Sequence, residues 1–266
     1  MTKNKFFLLT TLAGILSFVT VISNISLFDG TWSTVCMVVF SALIPIFAYR
    51  FRNHSTVGFL LTTFPTIIVV RNADQHDWSI IGWLTAITFI PLLLQLIVLS
   101  RDAYKNHGGP ALALSLMRTF VGLNWLTHCT EKLFLSQHDE GLLNFFSQVV
   151  GHNTIGADIP PHIAHYVIIF GGLVELTIAI SLGLGLLSRF GAFAASIYLI
   201  SAQLMSGHFM VGYTWALPGG GWELCFFFFM VMYPFMLPKT AGPISLDAAF
   251  STNLLNNRLI KRLSGN

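Results

Sequence analysis

The chain alternates between long apolar stretches and short polar connections. A helix that crosses a bilayer needs about 20 mostly apolar residues. The pattern predicts an all-α, polytopic membrane bundle with about eight transmembrane helices, at residues 6–28, 32–49, 56–71, 79–100, 111–135, 162–187, 190–212 and 222–238. The third segment is short and contains Pro65, so its ends are the hardest to place.

The composition excludes an ordinary soluble domain. The 266 residues are 54% hydrophobic and 9% charged, with a mean hydropathy of +0.71, whereas soluble domains carry about 25% charged residues. The net charge of +3 is small and its basic residues are spread over short connections, so we expect no nucleic-acid partner. Cys36, Cys129 and Cys225 occur singly, which disfavours a dithiol relay.

The distribution of charge predicts the orientation. Nearly all Lys and Arg residues fall in alternate connections, and the remaining connections hold mostly Asp and Glu. Basic residues concentrate on the cytoplasmic side of a membrane, so we expect a bacterial inner membrane protein with both termini in the cytoplasm. The first apolar run is not followed by Ala-x-Ala and is expected to be an uncleaved helix.

The first four predicted helices contain few ionisable residues, and the last four hold almost all of the intramembrane charge. In the first four predicted helices Gln95 is the main polar residue at depth, and the HGGP sequence at 107–110 separates them from the rest. We therefore predict an N-terminal four-helix membrane region (1–108), a C-terminal four-helix membrane domain (109–250) and a basic cytoplasmic tail (251–266). The outer connection 136–161 contains an apolar run that fits a short interfacial helix.

The fifth segment, residues 111–135, crosses the bilayer yet contains Arg118 and a polar cluster near its outer end. Ionisable groups in hydrocarbon are costly unless they face the bundle interior and find partners. At 1.5 Å per residue, Arg118 lies about 25 Å below the outer end of its helix and Glu175 about 20 Å below that of the next one. We therefore predict a structural ion pair between Arg118 and Glu175.

Six further ionisable side chains from four successive helices are expected within about 10 Å of the outer boundary. They are His128, Glu131, Lys132, His165, His208 and Glu223. We interpret them as a functional pocket, with coincidental interfacial polarity as the alternative. Such a set can transfer protons, hold an anion or a quinone headgroup, or ligate a metal or haem. No spacing singles out two histidines as axial ligands, so haem and metal are not favoured.

Within this pocket we assign roles by position and residue type. Catalytic proton transfer is assigned to His128, Glu131 and His208. Binding of a substrate or a quinone is assigned to Lys132, His165 and Glu223.

Four stretches of the second half carry a family resemblance. They are RTFVGLNWLTHCTEK (118–132), GGLVELTIAISLGLGLLSRFGA (171–192), SGHF (206–209) and GPISLDAAF (242–250). Over residues of about 110–250 the chain resembles the DoxX family of small four-helix membrane proteins, which includes the DoxD subunit of thiosulfate:quinone oxidoreductase. The resemblance implies a membrane component of a redox system that passes electrons from a reduced sulfur compound to quinone. By position it also implies functional roles for Arg118, Glu131, Lys132, Glu175 and His208.

The leading hypothesis is a DoxX-like component of a quinone-linked redox system that oxidises a small sulfur compound such as thiosulfate, with a quinone as cofactor and a redox partner subunit. One alternative is a non-enzymatic scaffold or assembly factor for such a partner, in which the charges serve folding alone. Another is a small-solute or proton-coupled transporter. The first half shows no intramembrane charge and no repeat of the second, which disfavours a transporter.

Overall fold

The computed structural model describes residues 3–135, 138–210, 221–250 and 258–265. These residues form helices and turns and no strand, which confirms the all-α prediction. The α-helices are α1 (Lys3–Ser23), α2 (Gly30–Arg50), α3 (Ser55–Gln75), α4 (Ser79–Ala86), α5 (Phe89–Leu133), α6 (Glu140–Asn144), α7 (Gly151–Ile155), α8 (Pro161–Ile178), α9 (Ser188–Met205), α10 (Gly221–Met232), α11 (Leu246–Ala249) and α12 (Arg258–Leu263). Short π-helices at Phe145–Val150 and Ala179–Gly183 extend α6 and α8.

Five described stretches are long and apolar enough to cross a membrane. They are Lys5–Ser23, Gly30–Arg50, Ser55–Gln75, Ser79–Leu133 and Pro161–Gly183. The 55-residue stretch Ser79–Leu133 covers two of the predicted segments. Helix α9 and the shorter apolar stretch Gly221–Met236 correspond to the last two. The chain is therefore a polytopic integral membrane protein.

The break between the two halves of α5 lies at Gly108. Its backbone angles, φ 80° and ψ 173°, are not helical. A positive φ favours glycine because it has no Cβ, and Pro110 fits the first turn of the limb that follows because that turn needs no amide donor. The HGGP sequence thus interrupts α5 between the two predicted transmembrane segments.

The first and second halves of the chain share their apolar core. One buried cluster joins Val57 and Leu92 of the first half to Leu184 and Ile244 of the second. Another combines Cys36 and Ile68 with residues of α5 and α8. The two halves therefore pack against each other along these clusters. The division into two membrane regions near residue 108 stays a prediction.

A close backbone approach between α5 and the π-helix after α8 fixes the centre of the second half. A Cβ added to Gly122 would overlap the backbone of Leu182 and Gly183. Glycine is therefore required at position 122 for these two helices to come this close, as at the small-residue contacts of other membrane helices. This contact determines which residues of α5 and α8 meet on either side of it.

Candidate functional site

A buried ion pair lies between α5 and α8. Lys132 Nζ is 2.5 Å from Glu175 Oε1, and the two side chains are 9% and 4% exposed. The hydroxyl group of Tyr198 on α9 donates a second hydrogen bond to the same oxygen, at 3.0 Å. The other carboxylate oxygen, Oε2, is buried and has no partner among the residues that the structure describes. These three side chains are called the buried triad below.

Two consecutive glycines of α8 make room for the triad. A Cβ on Gly172 would lie 2.8 Å from the Cβ of Lys132, and one on Gly171 would lie 2.8 Å from the hydroxyl oxygen of Tyr198. Both contacts are closer than real Cβ atoms tolerate. The GGLVEL sequence therefore lets α5 and α9 approach α8 at the level of Glu175.

The predicted ion pair between Arg118 and Glu175 is wrong, because Glu175 pairs with Lys132 instead. The prediction assumed that adjacent helices end at the same level. Lys132 is the penultimate residue of α5, whereas Glu175 lies about 21 Å along α8 from its first residue. Since these two residues are in contact, the first turns of α8 extend well beyond the end of α5.

Arg118 has a different set of partners, all at the opposite end of the second half. The guanidinium is fully buried and donates to the carbonyl oxygens of Ala241 at 2.9 Å, Ile244 at 2.5 Å and Leu182. These carbonyl groups belong to the end of the π-helix after α8 and to the segment before α11. Arg118 therefore attaches the segment 241–250 to the bundle through its backbone.

Asp247 completes this attachment. Its carboxylate accepts hydrogen bonds from the backbone amides of Leu187, Ser188 and Gly265 at 2.9–3.1 Å. Leu187 has φ 59°, so the carboxylate holds the backbone where α9 begins. The sequence GPISLDAAF thus forms a structural clamp at this end of the bundle, and neither Arg118 nor Asp247 contacts the buried triad through a hydrogen bond.

His128 lies one turn before Lys132 on α5, and its side chain is exposed on the outside of the bundle. Its ring is 6.4 Å from that of Trp125, which in turn lies 5.7 Å from the ring of Tyr198. Asn124, one further turn back, is also exposed. His128 and Asn124 thus form a polar strip on the outward face of α5, next to the buried triad. The expectation that ionisable groups of this helix face the bundle interior therefore does not hold for His128.

Glu131 faces another direction, toward the first half of the chain. Its Oε2 accepts a hydrogen bond from Gln75 Nε2 of α3 at 3.2 Å. Both residues line a cleft of about 940 Å³, together with Asp29, His76, His138, Asp139 and Glu140 and three other residues. Four carboxylates therefore surround this outer cleft. A dianion such as thiosulfate is repelled by like charges there.

His138 connects the outer cleft to the triad. Its Nε2 lies 2.9 Å from the carbonyl oxygen of Lys132, and its ring centroid is 4.5 Å from that of His165. Burial lowers the pKa of His138 below its ordinary value, the hydrogen bond to the Lys132 carbonyl opposes this shift, and the neighbouring His165 adds to it. His165 therefore packs against His138, which is hydrogen-bonded to the Lys132 backbone.

The last two predicted residues lie at other positions. His208 begins the short helix His208–Met210, and its backbone amide donates to the Ser206 hydroxyl at 3.4 Å. Glu223 lies in the first turn of α10. Their assigned roles in proton transfer and binding stay predictions.

The structure thus brings together only part of the predicted pocket. Lys132 and Glu175 meet directly, His128 lies beside them, Glu131 faces the outer cleft, and His165 lies against His138. Sequence reasoning missed Tyr198. A tyrosine in the middle of an apolar membrane helix needs a hydrogen-bond partner for its hydroxyl group, and that requirement was the available signal.

The remaining sulfur and metal-ligating side chains form no further centre within the described part of the chain. Cys36, Cys129 and Cys225 are buried free thiols. No group of three or more His, Cys, Asp or Glu residues in the described ranges has the arrangement of a metal site.

The fold and the site define an integral membrane helical bundle in which Lys132, Glu175 and Tyr198 are joined by hydrogen bonds. Residues 113–208 match the model of the DoxX family, so this stretch of the chain is similar to that family. The match contains all three triad residues and confirms the resemblance seen in the sequence, while α1 to α4 lie outside it. No curated protein and no solved structure matches the chain.

Proposed function

We propose that this protein is the membrane component of a quinone-linked redox system and that the buried triad binds the quinone headgroup. The observation that carries the proposal is the Lys132–Glu175 pair, with the Tyr198 hydroxyl on one carboxylate oxygen and no partner on the other. Buried polar atoms normally have a partner. An unpaired oxygen inside a membrane bundle is therefore a position where a polar ligand group binds.

The surroundings of the triad fit a flat, lipid-soluble ligand. Trp125 and Tyr198 provide aromatic rings on one side, and His128 is exposed to the lipid beside them. Polar side chains that face lipid are costly, and a ligand arriving from the bilayer through this strip would provide hydrogen-bond partners for them.

The chemistry of quinone reduction requires groups of this kind. Oxidation of two thiosulfate anions to tetrathionate releases two electrons, and a quinone accepts them with two protons to become a quinol. General acids placed within hydrogen-bond distance accelerate such proton transfers by about a hundredfold or more. We assign this role to the ammonium group of Lys132, which the Glu175 carboxylate holds in place, and to His128 beside it. Glu131 exchanges protons with the water in the outer cleft.

Electrons reach the quinone from a separate donor in this proposal. The carboxylates of the outer cleft repel thiosulfate, and the ammonium group of Lys132 is buried and neutralised by Glu175. We therefore place oxidation of the sulfur compound on a redox partner that docks on this protein. The protein itself supplies the quinone site in a bacterial inner membrane, with both termini in the cytoplasm, as the distribution of basic residues predicts.

The test is reduction of decylubiquinone by membranes that contain the full-length protein and its native partners, with thiosulfate as the donor. We expect Glu175→Gln to lower the rate by about a hundredfold or more, because it removes the carboxylate that holds the Lys132 ammonium group in place. Glu131→Gln should slow the reaction less, since the triad remains. Glu140→Gln is the matched control on the rim of the outer cleft and should leave the rate unchanged.

The controls separate catalysis from folding. Each variant is first compared with the wild type for its amount in the membrane and its elution on size exclusion in detergent. A well-folded Glu175→Gln variant with a wild-type rate would refute the proposal. It would favour the scaffold hypothesis, in which the buried charges serve only folding.

A further inference from the structure

The two oxygens of the Glu175 carboxylate have different environments. Oε1 accepts hydrogen bonds from Lys132 Nζ at 2.5 Å and from the Tyr198 hydroxyl at 3.0 Å. Oε2 is buried and has no donor among the described residues. Because both neighbouring donors bond to Oε1, Oε2 of the ionised carboxylate remains available to accept a hydrogen bond. A ligand that presents a donor to Oε2 satisfies it, and a ligand that presents another acceptor does not.

The two redox forms of a quinone differ in this property. The carbonyl oxygens of a quinone only accept hydrogen bonds, whereas the hydroxyl groups of the quinol donate them. An ionised carboxylate only accepts. An acceptor facing an acceptor leaves both unpaired, and buried unpaired groups oppose binding.

We infer that Glu175 Oε2 makes this site selective for the reduced form, so that it binds the quinol more tightly than the quinone. This inference rests on the proposed function and specifies which form of the ligand the site prefers. Because a ligand shifts an equilibrium by its differential affinity for the two states, tighter binding of the quinol favours reduction of the bound quinone.

The experiment measures the affinities of decylubiquinone and decylubiquinol for the detergent-purified, full-length protein under anaerobic conditions. Trp125, whose ring is 5.7 Å from that of Tyr198, provides a fluorescence signal near the site. We expect the dissociation constant of the quinol to be lower by about tenfold or more, the size expected when one buried acceptor gains a partner.

Three variants test whether Glu175 is the cause. Glu175→Gln replaces a carboxylate, which only accepts hydrogen bonds, with an amide group that can also donate. It should therefore abolish or reverse the preference for the quinol. The double variant Lys132→Met with Glu175→Gln removes both charges, so it tests the same position without leaving an unpaired buried ammonium. Glu140→Gln is the matched control, because it removes a carboxylate of the outer cleft and leaves Oε2 as before. It should keep the preference for the quinol.

The outcomes distinguish the inference from the function on which it rests. If neither form binds the wild type, the quinone function fails and the inference fails with it. If both forms bind equally, or the quinone binds more tightly, the function stands and the selectivity for the quinol is wrong. A preference that persists in the folded double variant would also overturn the assignment to Glu175.

Discussion

Lys132 and Glu175 form a buried ion pair at 2.5 Å, although one lies at the end of α5 and the other deep within α8. The pair is possible because the first turns of α8 extend beyond α5 and because Gly171 and Gly172 bring the helices close. It joins two intramembrane charges, which the sequence analysis had assigned to different sites, into one site with Tyr198. The predictions below follow from this geometry and from the clamp around Arg118.

Removing one member of the pair should destabilise the protein far more than removing both. Lys132→Met or Glu175→Gln alone leaves an uncompensated buried polar or charged group, and we expect a loss of about 3–5 kcal/mol in unfolding free energy. The double variant should recover most of that loss. Reversible unfolding in mixed detergent, analysed as a double-mutant cycle, measures this. Additive losses would show that the two side chains do not interact.

Gly122→Ala should weaken the contact between α5 and the π-helix after α8. The added methyl group would overlap the backbone of Gly183, which cannot move aside like a flexible side chain. Overpacking of this kind costs about 1–3 kcal/mol or more, and the midpoint of thermal unfolding in detergent should fall. Gly82→Ala is the control, since its Cβ would make an ordinary contact at 3.5 Å with Ala73. Equal midpoints for the two variants would contradict the close approach.

Arg118→Lys should release the segment 241–250 while keeping the positive charge. One ammonium group cannot replace a guanidinium that donates to carbonyl groups on two sides, and each buried carbonyl left unpaired costs about 1–3 kcal/mol. Hydrogen exchange should accelerate at the amides of Leu246 and Asp247, which bond to Leu184 and Gly185. Arg52→Lys, at an exposed contact with Tyr49, should change nothing. Unaltered exchange in the Arg118 variant would show that the clamp does not depend on the guanidinium.

Stability should fall in mildly acidic solution because of His138. Its pKa is lowered in the folded protein by burial, so the unfolded chain binds a proton more readily than the folded one. The free energy of unfolding should therefore decrease as the pH falls below about 6.5, the ordinary value for histidine, and level off below the folded pKa.

The matched variants for this pH effect are His138→Gln and His162→Gln. Glutamine retains a donor for the Lys132 carbonyl and cannot be protonated, so His138→Gln should reduce the dependence on pH. His162 is exposed near the start of α8, and its replacement should leave the dependence as in the wild type. A wild-type pH profile in His138→Gln would assign the effect to another group.

The sequence was sufficient to predict the membrane-spanning helices, since apolar runs of this length rarely form any other structure. It was also sufficient to identify Lys132 and Glu175 as residues of interest, because charge inside hydrocarbon needs a partner. It was not sufficient to pair them. Counting residues from each helix end placed Glu175 beside Arg118, and only the staggered start of α8 shows why that is wrong.

The directions in which the side chains of α5 point could not be predicted from the hydrophobic pattern either. His128 and Lys132 are one turn apart, yet the first is exposed to the lipid and the second is buried. Glu131, between them, faces the first half of the chain through Gln75. These directions depend on the packing of α3 and α8 against opposite sides of α5, and a hydrophobic pattern does not contain that information.

The most direct test of the quinone site is the quinone content of the purified protein. The wild type and the Lys132→Met, Glu175→Gln double variant would be purified in mild detergent from the same bacterial membranes, extracted with solvent and analysed by chromatography. We predict close to one quinone per wild-type chain and a large loss in the folded double variant. Equal quinone content in the two proteins, or none in the wild type, would contradict a quinone site at Lys132 and Glu175.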